Sequence, residues 1–258
     1  MILRRLMQHV RDQNWVAVGL DFMIVVVGVF VGLQVSNWSA AQADLRRGEQ
    51  YAHRLAADLE IDVNNRRTTI SYYDAVNASA ERTIELLADP YADSLELVVS
   101  AYRSTEYQLI PQTRSTWDEI VGAGDLGLMP DRAVLDGLSQ YFGADSTGRA
   151  ADTLSTSALR FRVRSTIPHE IQKAIRAGCS DHRNADGDII GFLAECQLDI
   201  ASDDISAAAD ALRNDPELLP ALRYNFSALN SARLNMRGDI IILERVIALL
   251  SREETDTP

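Results

Sequence analysis

The sequence predicts an all-α protein with one N-terminal transmembrane helix that continues into an extramembrane helical bundle. Three observations support this prediction. Residues 15–38 form one apolar segment of membrane-spanning length. Most of the remaining chain repeats its apolar side chains every three or four residues, which is the spacing of an amphipathic helix. Strand-like alternation covers only a few residues, so a large sheet is not expected.

The apolar segment WVAVGLDFMIVVVGVFVGLQVSNW occupies residues 15–38. As a helix it would be about 36 Å long, enough to cross a hydrocarbon core of about 30 Å. Its inner run, residues 22–33, has no polar side chain on any face. Trp15 and Trp38 lie at its ends, where tryptophan favours the lipid headgroup region. These features predict a transmembrane helix with two interfacial anchors and the lipid bilayer as a partner.

A cleavable signal peptide is the main alternative for this segment. Basic residues precede it, and Ala41-Gln42-Ala43 resembles a small-x-small cleavage site. Against cleavage, the basic leader is long and Trp38 intrudes before the site. We therefore favour an uncleaved anchor.

The orientation of the anchor depends on the charges that flank it. The nearest basic residues are Arg4, Arg5 and Arg11 before the segment and Arg46, Arg47 and Arg54 after it. The counts are equal, but the first group lies beside the α-amine, and long C-terminal domains translocate largely regardless of charge. We expect residues 1–14 in the cytoplasm of a bacterium and residues 39–252 as a periplasmic domain on the inner membrane.

One face of the predicted anchor carries Asp21, Gly28 and Gly32. Their separations of seven and four residues bring them within about 40° of one another on a helix. A small-xxx-small pattern allows two helix backbones to approach closely, and an intramembrane carboxyl favours a protein neighbour over lipid. This face predicts a homo-oligomer or a membrane-protein partner. The alternative is that the glycines are incidental and Asp21 is protonated or reaches the interface.

After residue 38 the helical pattern continues as far as Asp89-Pro90. The apolar residues that mark this face are Leu45, Leu55, Leu59, Val63, Ile70, Tyr73, Ala80, Ile84 and Leu87. A short helix is predicted over residues 94–105. A capping box that begins at Ser115 or Thr116 predicts the start of the next helix, which Gly122 and Gly124 end.

Two further helical regions complete the predicted bundle. Pro130 and Asp131 open a helix that ends near Gly143, and residues 146–178 read as another helix with a break at Pro168. Alternation at residues 159–164 is too short to indicate a strand. The final helix should pack in a bundle, and residues 253–258 have the composition of a disordered tail. The apolar face of that helix comprises Leu222, Phe226, Leu229, Met236, Ile240, Leu243, Ile247 and Leu250.

The segment GVFVGLQVSNW at residues 28–38 resembles the signature of an uncharacterised family of bacterial single-span membrane proteins. That signature reads approximately G-I-x-I-A-L-Q-I-N-N-W after an acidic residue, whose position Asp21 takes. Residues 116–142 are similar to the family's aromatic-acid-x-aliphatic helix, Gly turn and following helix. Gly32 replaces a usual Ala, and Ser39-Ala40 stand where the family commonly continues Trp-Asn-Glu. The resemblance implies single-span topology and a helical extramembrane domain, with no established activity.

The chain's two cysteines, Cys179 and Cys196, bracket its most polar and turn-rich loop. An even number of cysteines suits a disulfide in an oxidising compartment, although two reduced cysteines are the alternative. The loop resembles a calcium loop, but His182 and Leu193 would occupy the first and twelfth positions, which require oxygen ligands. A zinc site from His182 and both cysteines would lack a clear fourth protein ligand. We expect no metal site.

Familiar catalytic motifs are incomplete. Gly122, Gly124 and Gly127 match GxGxxG without the strand that a dinucleotide fingerprint requires. His169-Glu170 would begin HExxH, but Lys173 stands at the second histidine position. We therefore predict no catalytic or cofactor-binding residue, and an enzyme is less favoured than a membrane-anchored interaction protein or an extracytoplasmic ligand sensor.

The formal net charge of −12 argues against nucleic acid as a partner, because phosphate backbones would be repelled. It also affects how the chain's clustered arginines are interpreted. Arg149, Arg160, Arg162 and Arg164 could form an anion-binding patch, but ion pairs with the many carboxylates of this domain are the favoured interpretation.

Overall fold

The computed structural model describes residues 15–129, 132–179 and 181–252. The chain divides into two compact units, Met1–Tyr51 and Ala52–Pro258. The helices are α1 (Trp15–Ala88), α2 (Ser94–Arg103), α3 (Ser115–Ala123), α4 (Arg132–Ala144), α5 (Ser146–Ser155), α6 (Ala158–Thr166), α7 (His169–Gly178), α8 (Ser202–Arg213) and α9 (Leu218–Arg252). A 3-10 turn covers Asp125–Leu128, and two strands, β1 (Asp181–Arg183) and β2 (Ile189–Phe192), form an antiparallel hairpin. The fold class is all-α, as predicted.

Helix α1 has two parts with different environments. Every described side chain from residue 19 to residue 41 is exposed. Within the second unit, by contrast, Leu55, Leu59, Tyr73, Val76 and Ala80 are fully buried. The helix runs without interruption through the predicted end of the transmembrane segment at residue 38.

The second unit has two hydrophobic clusters on α1. The first joins the end of α1 to α2, α6, α7, α8 and the start of α9, with Leu97, Leu159 and Ile171 at its centre. The second joins the middle of α1 to α5 and α9 through Tyr73, Leu154 and Met236. In both clusters most side chains lie three or four residues apart on their helices, which is the spacing of helix packing.

The start of α3 differs from the predicted capping box. Arg114 is the N-cap residue and makes no side-chain cap bond. Instead Asp58 on α1 accepts hydrogen bonds from the Thr116 backbone N–H and the Ser115 hydroxyl, both at 3.2 Å. The capping-box prediction was wrong because a carboxylate from another helix satisfies these donors. Gly124, with φ of 77°, ends α3 as predicted.

The region predicted as one helix with a break at Pro168 forms three helices, α5, α6 and α7. The additional break falls at Ser157, whose side chain accepts from the Arg160 backbone N–H and caps α6. The alternating stretch is helical: Leu159 and Val163, four residues apart, are buried, and Phe161 is 76% exposed. Pro130 and Asp131, predicted to open α4, lie outside the described residues.

The buried face of α9 differs from the prediction by one residue at three positions, 226, 240 and 247, where the preceding residue is the buried one. Phe226 is 39% exposed, and Asn225 is buried in its place, donating to the Ser104 carbonyl at 3.3 Å. The buried residues of α9 alternate steps of three and four, the repeat of coiled-coil packing. They are Leu218, Leu222, Asn225, Leu229, Ala232, Met236, Asp239, Leu243, Val246 and Leu250.

Candidate functional site

The first candidate site is the exposed apolar part of α1. Trp15 is the first residue of this helix, and Trp38 is 67% exposed. The helix has the length and composition of a membrane span or signal anchor, with none of its most apolar window buried. A Cβ added to Gly28 or Gly32 would meet no atom within 4 Å. The predicted face of Asp21, Gly28 and Gly32 is therefore open along the described helix.

The second candidate site is a cavity of about 350 Å³ within the second unit. It lies between α1, the end of α2, α7 and the β-hairpin. The residues that line it are Tyr72, Tyr102, Arg103, Glu106, Tyr107, Gln108, Ile175, Arg176, Cys179, Asp181, Ile189 and Phe192. This volume is within the range of small-molecule pockets. The sequence analysis did not identify it, because its walls come from segments far apart in the chain.

Two arginines of the cavity wall are held by neutral groups. The guanidinium of Arg103 donates to the Leu193 carbonyl at 2.8 Å and lies 5.1 Å from the centre of the Phe192 ring. Arg176 donates from Nε to the Tyr102 hydroxyl at 2.7 Å. Burial lowers the pKa of Arg103, whereas the bond to Tyr102 raises the pKa of Arg176.

The nearby arginines of α6 are paired, as the favoured interpretation of that cluster predicted. Arg164 lies 2.8 Å from one oxygen of Glu106, and Arg160 lies 3.6 Å from the other. Arg164 also stacks 3.4 Å from the centre of the Tyr102 ring. Arg162 pairs with Asp215 at 3.0 Å. Glu106, which lines the cavity, is thus engaged by arginines from the α6 side.

Acidic and hydroxyl groups occupy the rest of the cavity wall. Burial and the nearby carboxylate of Glu106 raise the pKa of Asp181 on β1. Burial is also the largest cause of the raised pKa of Tyr72, followed by the charges of Glu106 and Asp181. The cavity therefore contains charges of both signs within a partly desolvated space.

A disulfide between Cys179 and Cys196 closes the segment that carries the hairpin, with the two Cα atoms 4.7 Å apart. Neither sulfur is therefore a thiolate ligand, which removes the zinc alternative. In the hairpin turn, the Asn184 side chain accepts from the backbone N–H groups of Asp186 and Asp188 at 3.0 and 2.8 Å. This Asx turn occupies an oxygen that a calcium loop would use for the ion.

A buried charge cluster of Asp62, Arg66, Tyr141 and Asp239 joins α1, α4 and α9. Arg66 donates to the Tyr141 hydroxyl at 2.7 Å and to Asp239 at 3.3 Å, and Tyr141 donates to Asp62 at 2.6 Å. Asp62 also accepts from the backbone and hydroxyl of Thr113 at 3.0 and 2.8 Å. Burial raises the pKa of Tyr141 and of Asp239. The cluster is enclosed, so it suits a structural role.

The sequence analysis missed this cluster, although a signal was present. Asp62 and Arg66 lie four residues apart in the buried repeat of α1, and Asp239 lies between Met236 and Leu243 in that of α9. Charged residues at positions that the repeat assigns to a core are the expected mark of a buried ion pair.

The remaining motifs of the sequence lie apart from both sites. Gly122, Gly124 and Gly127 belong to the end of α3 and the 3-10 turn, with no strand before them in residues 15–121. His169 and Glu170 are exposed at the start of α7. Among the residues that the structure describes, no three histidine, cysteine or acidic side chains are grouped to hold a metal.

No family model, curated protein or solved structure matches the chain. The resemblance to the uncharacterised single-span family therefore stays a prediction.

Proposed function

We propose that the chain is a single-pass protein of a bacterial inner membrane whose helical periplasmic domain serves as an interaction module. The observation that carries this proposal is the apolar part of α1. Its side chains are exposed all round, whereas the later part of the same helix is a central element of a packed domain. A helix that is apolar on every face and exposed to water would be unfavourable, and a bilayer would cover that surface.

Association through the membrane helix is the proposed mode of interaction. Gly28 and Gly32 offer no side chain that would separate two helices, and Asp21 lies on the same face. A partner helix there could accept a close backbone contact and shield the carboxyl. We therefore place the contact with a second copy, or with another single-span protein, on this face.

Substitution of both glycines by leucine tests the contact. Leucine keeps the segment apolar but fills the open face, so Gly28→Leu with Gly32→Leu should abolish a membrane two-hybrid signal between two copies. Gly19→Leu is the matched control, because residue 19 lies roughly 160° away from Asp21 around the helix. The control should retain the signal. An unchanged signal in the double variant, with equal membrane levels, would contradict association through this face.

The periplasmic location is supported by the basic residues before the span and by the Cys179–Cys196 disulfide. Maleimide-PEG labelling of intact spheroplasts tests this. We expect labelling only after treatment with a membrane-impermeant reductant. Labelling that requires lysis but no reductant would place reduced cysteines in the cytoplasm and reverse the topology.

Ligand sensing is a second candidate function, and the cavity favours it. The cavity touches α1 through Tyr72, so an occupant would contact the same helix that forms the proposed anchor. Binding could then bias the arrangement of the anchor helix. A direct measurement of ligand binding, described below, separates this candidate from a purely associative role.

A further inference from the structure

Several polar groups of the cavity wall are not used by the fold. Tyr72 is 5% exposed, and among the residues that the structure describes its hydroxyl has no hydrogen-bond partner. Arg103 Nε and Gln108 Oε1 are buried without a partner as well. Leaving such groups unpaired costs on the order of 1–3 kcal/mol each. Residues with unpaired polar atoms therefore line this cavity, and its wall favours a polar occupant over an apolar one.

The cations of the cavity point to an anionic group on that occupant. Within the described ranges, neither Arg103 nor Arg176 has a carboxylate within 4.0 Å, whereas the neighbouring Arg160 and Arg164 are both paired with Glu106. In a chain of net charge −12, carboxylates are plentiful. Arg103 is half-buried without a carboxylate at this distance, and the exposed Arg176 lies at the same cavity, so the pair favours a carboxylate that the ligand brings.

The acidic residue of the wall points to a cationic group. Among the described residues Asp181 makes no side-chain hydrogen bond and has no cation within 4.0 Å, although the charges of Arg183 and Arg103 lower its pKa. The Tyr72 hydroxyl can accept from a donor. An ammonium group would satisfy both and would offset the repulsion between Asp181 and Glu106. The same ligand would therefore carry one negative and one positive group.

The size and the remaining lining limit the ligand further. A cavity of about 350 Å³ suits a small molecule and not a folded segment. Ile175, Ile189 and Phe192 give it an apolar side. That combination suits a compact zwitterion with a modest apolar side chain.

We propose that the cavity binds a small zwitterion of the free α-amino-acid class. Its carboxylate accepts hydrogen bonds from Arg103 and Arg176, and its ammonium donates to Asp181 and to the Tyr72 hydroxyl. The apolar side chain of the ligand packs on Phe192. This inference rests on the ligand-sensing candidate and is independent of association through the membrane helix.

Calorimetric titration of the full chain in detergent micelles, with each of the common L-amino acids, tests the proposal. At least one amino acid should bind and raise the Tm of the protein. Acetate and methylammonium each carry only one of the two charges, so they should bind about 10- to 100-fold more weakly. Equal binding of acetate and the best amino acid would overturn the zwitterion in favour of a simple anion site. Absence of binding by any amino acid would overturn the site itself.

Two variants test which residues bind the carboxylate and the ammonium group of the ligand. Arg176→Gln and Asp181→Asn should each weaken amino-acid binding about 10- to 100-fold without changing the Tm of the unliganded protein. Lys173→Gln on the same helix and Asp186→Asn on the same hairpin lie outside the cavity lining and should bind like the wild type. Unchanged affinity in Arg176→Gln and Asp181→Asn would exclude the proposed pose.

The membrane variant keeps the two proposals separable. Gly28→Leu with Gly32→Leu should lose association and keep amino-acid binding, because the cavity lies wholly within the second unit. If the wild type binds no amino acid but still associates, the proposed ligand is wrong and the proposed interaction function is retained.

Discussion

The second unit contains two polar clusters that differ in how completely their charged groups are paired. In the buried charge cluster, Asp62, Arg66, Tyr141 and Asp239 satisfy one another, and Arg66 Nη1 is the one side-chain atom of these four residues found buried without a partner. The cavity wall leaves the Tyr72 hydroxyl without a partner in the described chain and two arginines without carboxylates. The groups of the buried charge cluster are paired with one another, so we call it the closed cluster. The polar groups of the cavity wall face the cavity without such pairing, so we call them the open cluster.

This difference separates a structural role from a binding role. Charges buried with their partners fix how helices meet, and removing one partner leaves the others desolvated and unpaired. Charged groups of the cavity wall gain an ion-pair partner only when a ligand binds. Substitutions should therefore affect stability at the first cluster and ligand affinity at the second.

The largest effect should come from Arg66→Met. Methionine keeps helix propensity and much of the side-chain volume but leaves Asp239 without its cation, so the free energy of unfolding should fall by about 3–5 kcal/mol. Arg67→Met removes the exposed pair with Glu244 next to it and should cost no more than about 1 kcal/mol. Urea unfolding followed by circular dichroism measures both. Similar losses in the two variants would show that the buried cluster contributes no more to stability than the exposed ion pair does.

The next effect concerns the covalent link beside the cavity. Reduction of the Cys179–Cys196 disulfide reopens a segment of sequence separation 17, which should lower the free energy of unfolding by about 3 kcal/mol. The double variant Cys179→Ala, Cys196→Ala should show the loss without reductant and no further loss with it. Continued sensitivity of that variant to reductant would assign the effect to another cause.

The buried cluster should also respond to pH in a defined direction. Burial raises the folded-state pKa of Asp239 above its unfolded value, although Ser146 and Arg66 oppose this. A raised pKa means that the folded protein binds the proton more tightly, so this contribution is complete below the unfolded pKa and is lost as pH rises through the folded pKa. Relative to Asp239→Asn, the wild type should gain stability as pH falls from neutral toward about 4.

Urea titrations at several pH values measure that difference. The exposed substitution Glu60→Gln controls for the loss of one carboxylate. A difference between wild type and Asp239→Asn that shrinks toward acid pH would show that Arg66 and Ser146 outweigh burial.

Much of the fold was accessible from the sequence because it is carried by local patterns. The periodicity of α1 and α9 predicts their length and most of their buried faces, and Gly124 marks a helix end through a backbone conformation that glycine favours. Elements with weak patterns were missed. The hairpin is short, and its first strand is polar. The buried residues of α8, Ile205, Ala208, Ala209 and Leu212, do follow helical spacing, but two of the four are alanines, which give a weak apolar signal.

The sites were less accessible because they depend on distant contacts. The cap of α3 comes from Asp58, and the cavity combines Tyr72 on α1 with Arg103, Arg176 and Asp181, which are far from it in sequence. A single sequence gives no distance between such residues. The Cys179–Cys196 pair could be predicted because the chain has two cysteines, and the shared face of Asp21, Gly28 and Gly32 follows from helical geometry on one helix. The role of that face as a contact site stays a prediction.

The smallest stability effect should come from the open cluster. Arg176 is exposed, its side chain donates a hydrogen bond of 2.7 Å to the Tyr102 hydroxyl, and no carboxylate in the described ranges lies within 4.0 Å of it. Arg176→Gln should therefore change the free energy of unfolding by less than about 0.5 kcal/mol, while affecting amino-acid binding as described above. The same urea titration, without ligand, measures this against Arg66→Met. A loss of several kcal/mol would mean that the cavity wall is structural, and the distinction between closed and open clusters would fail.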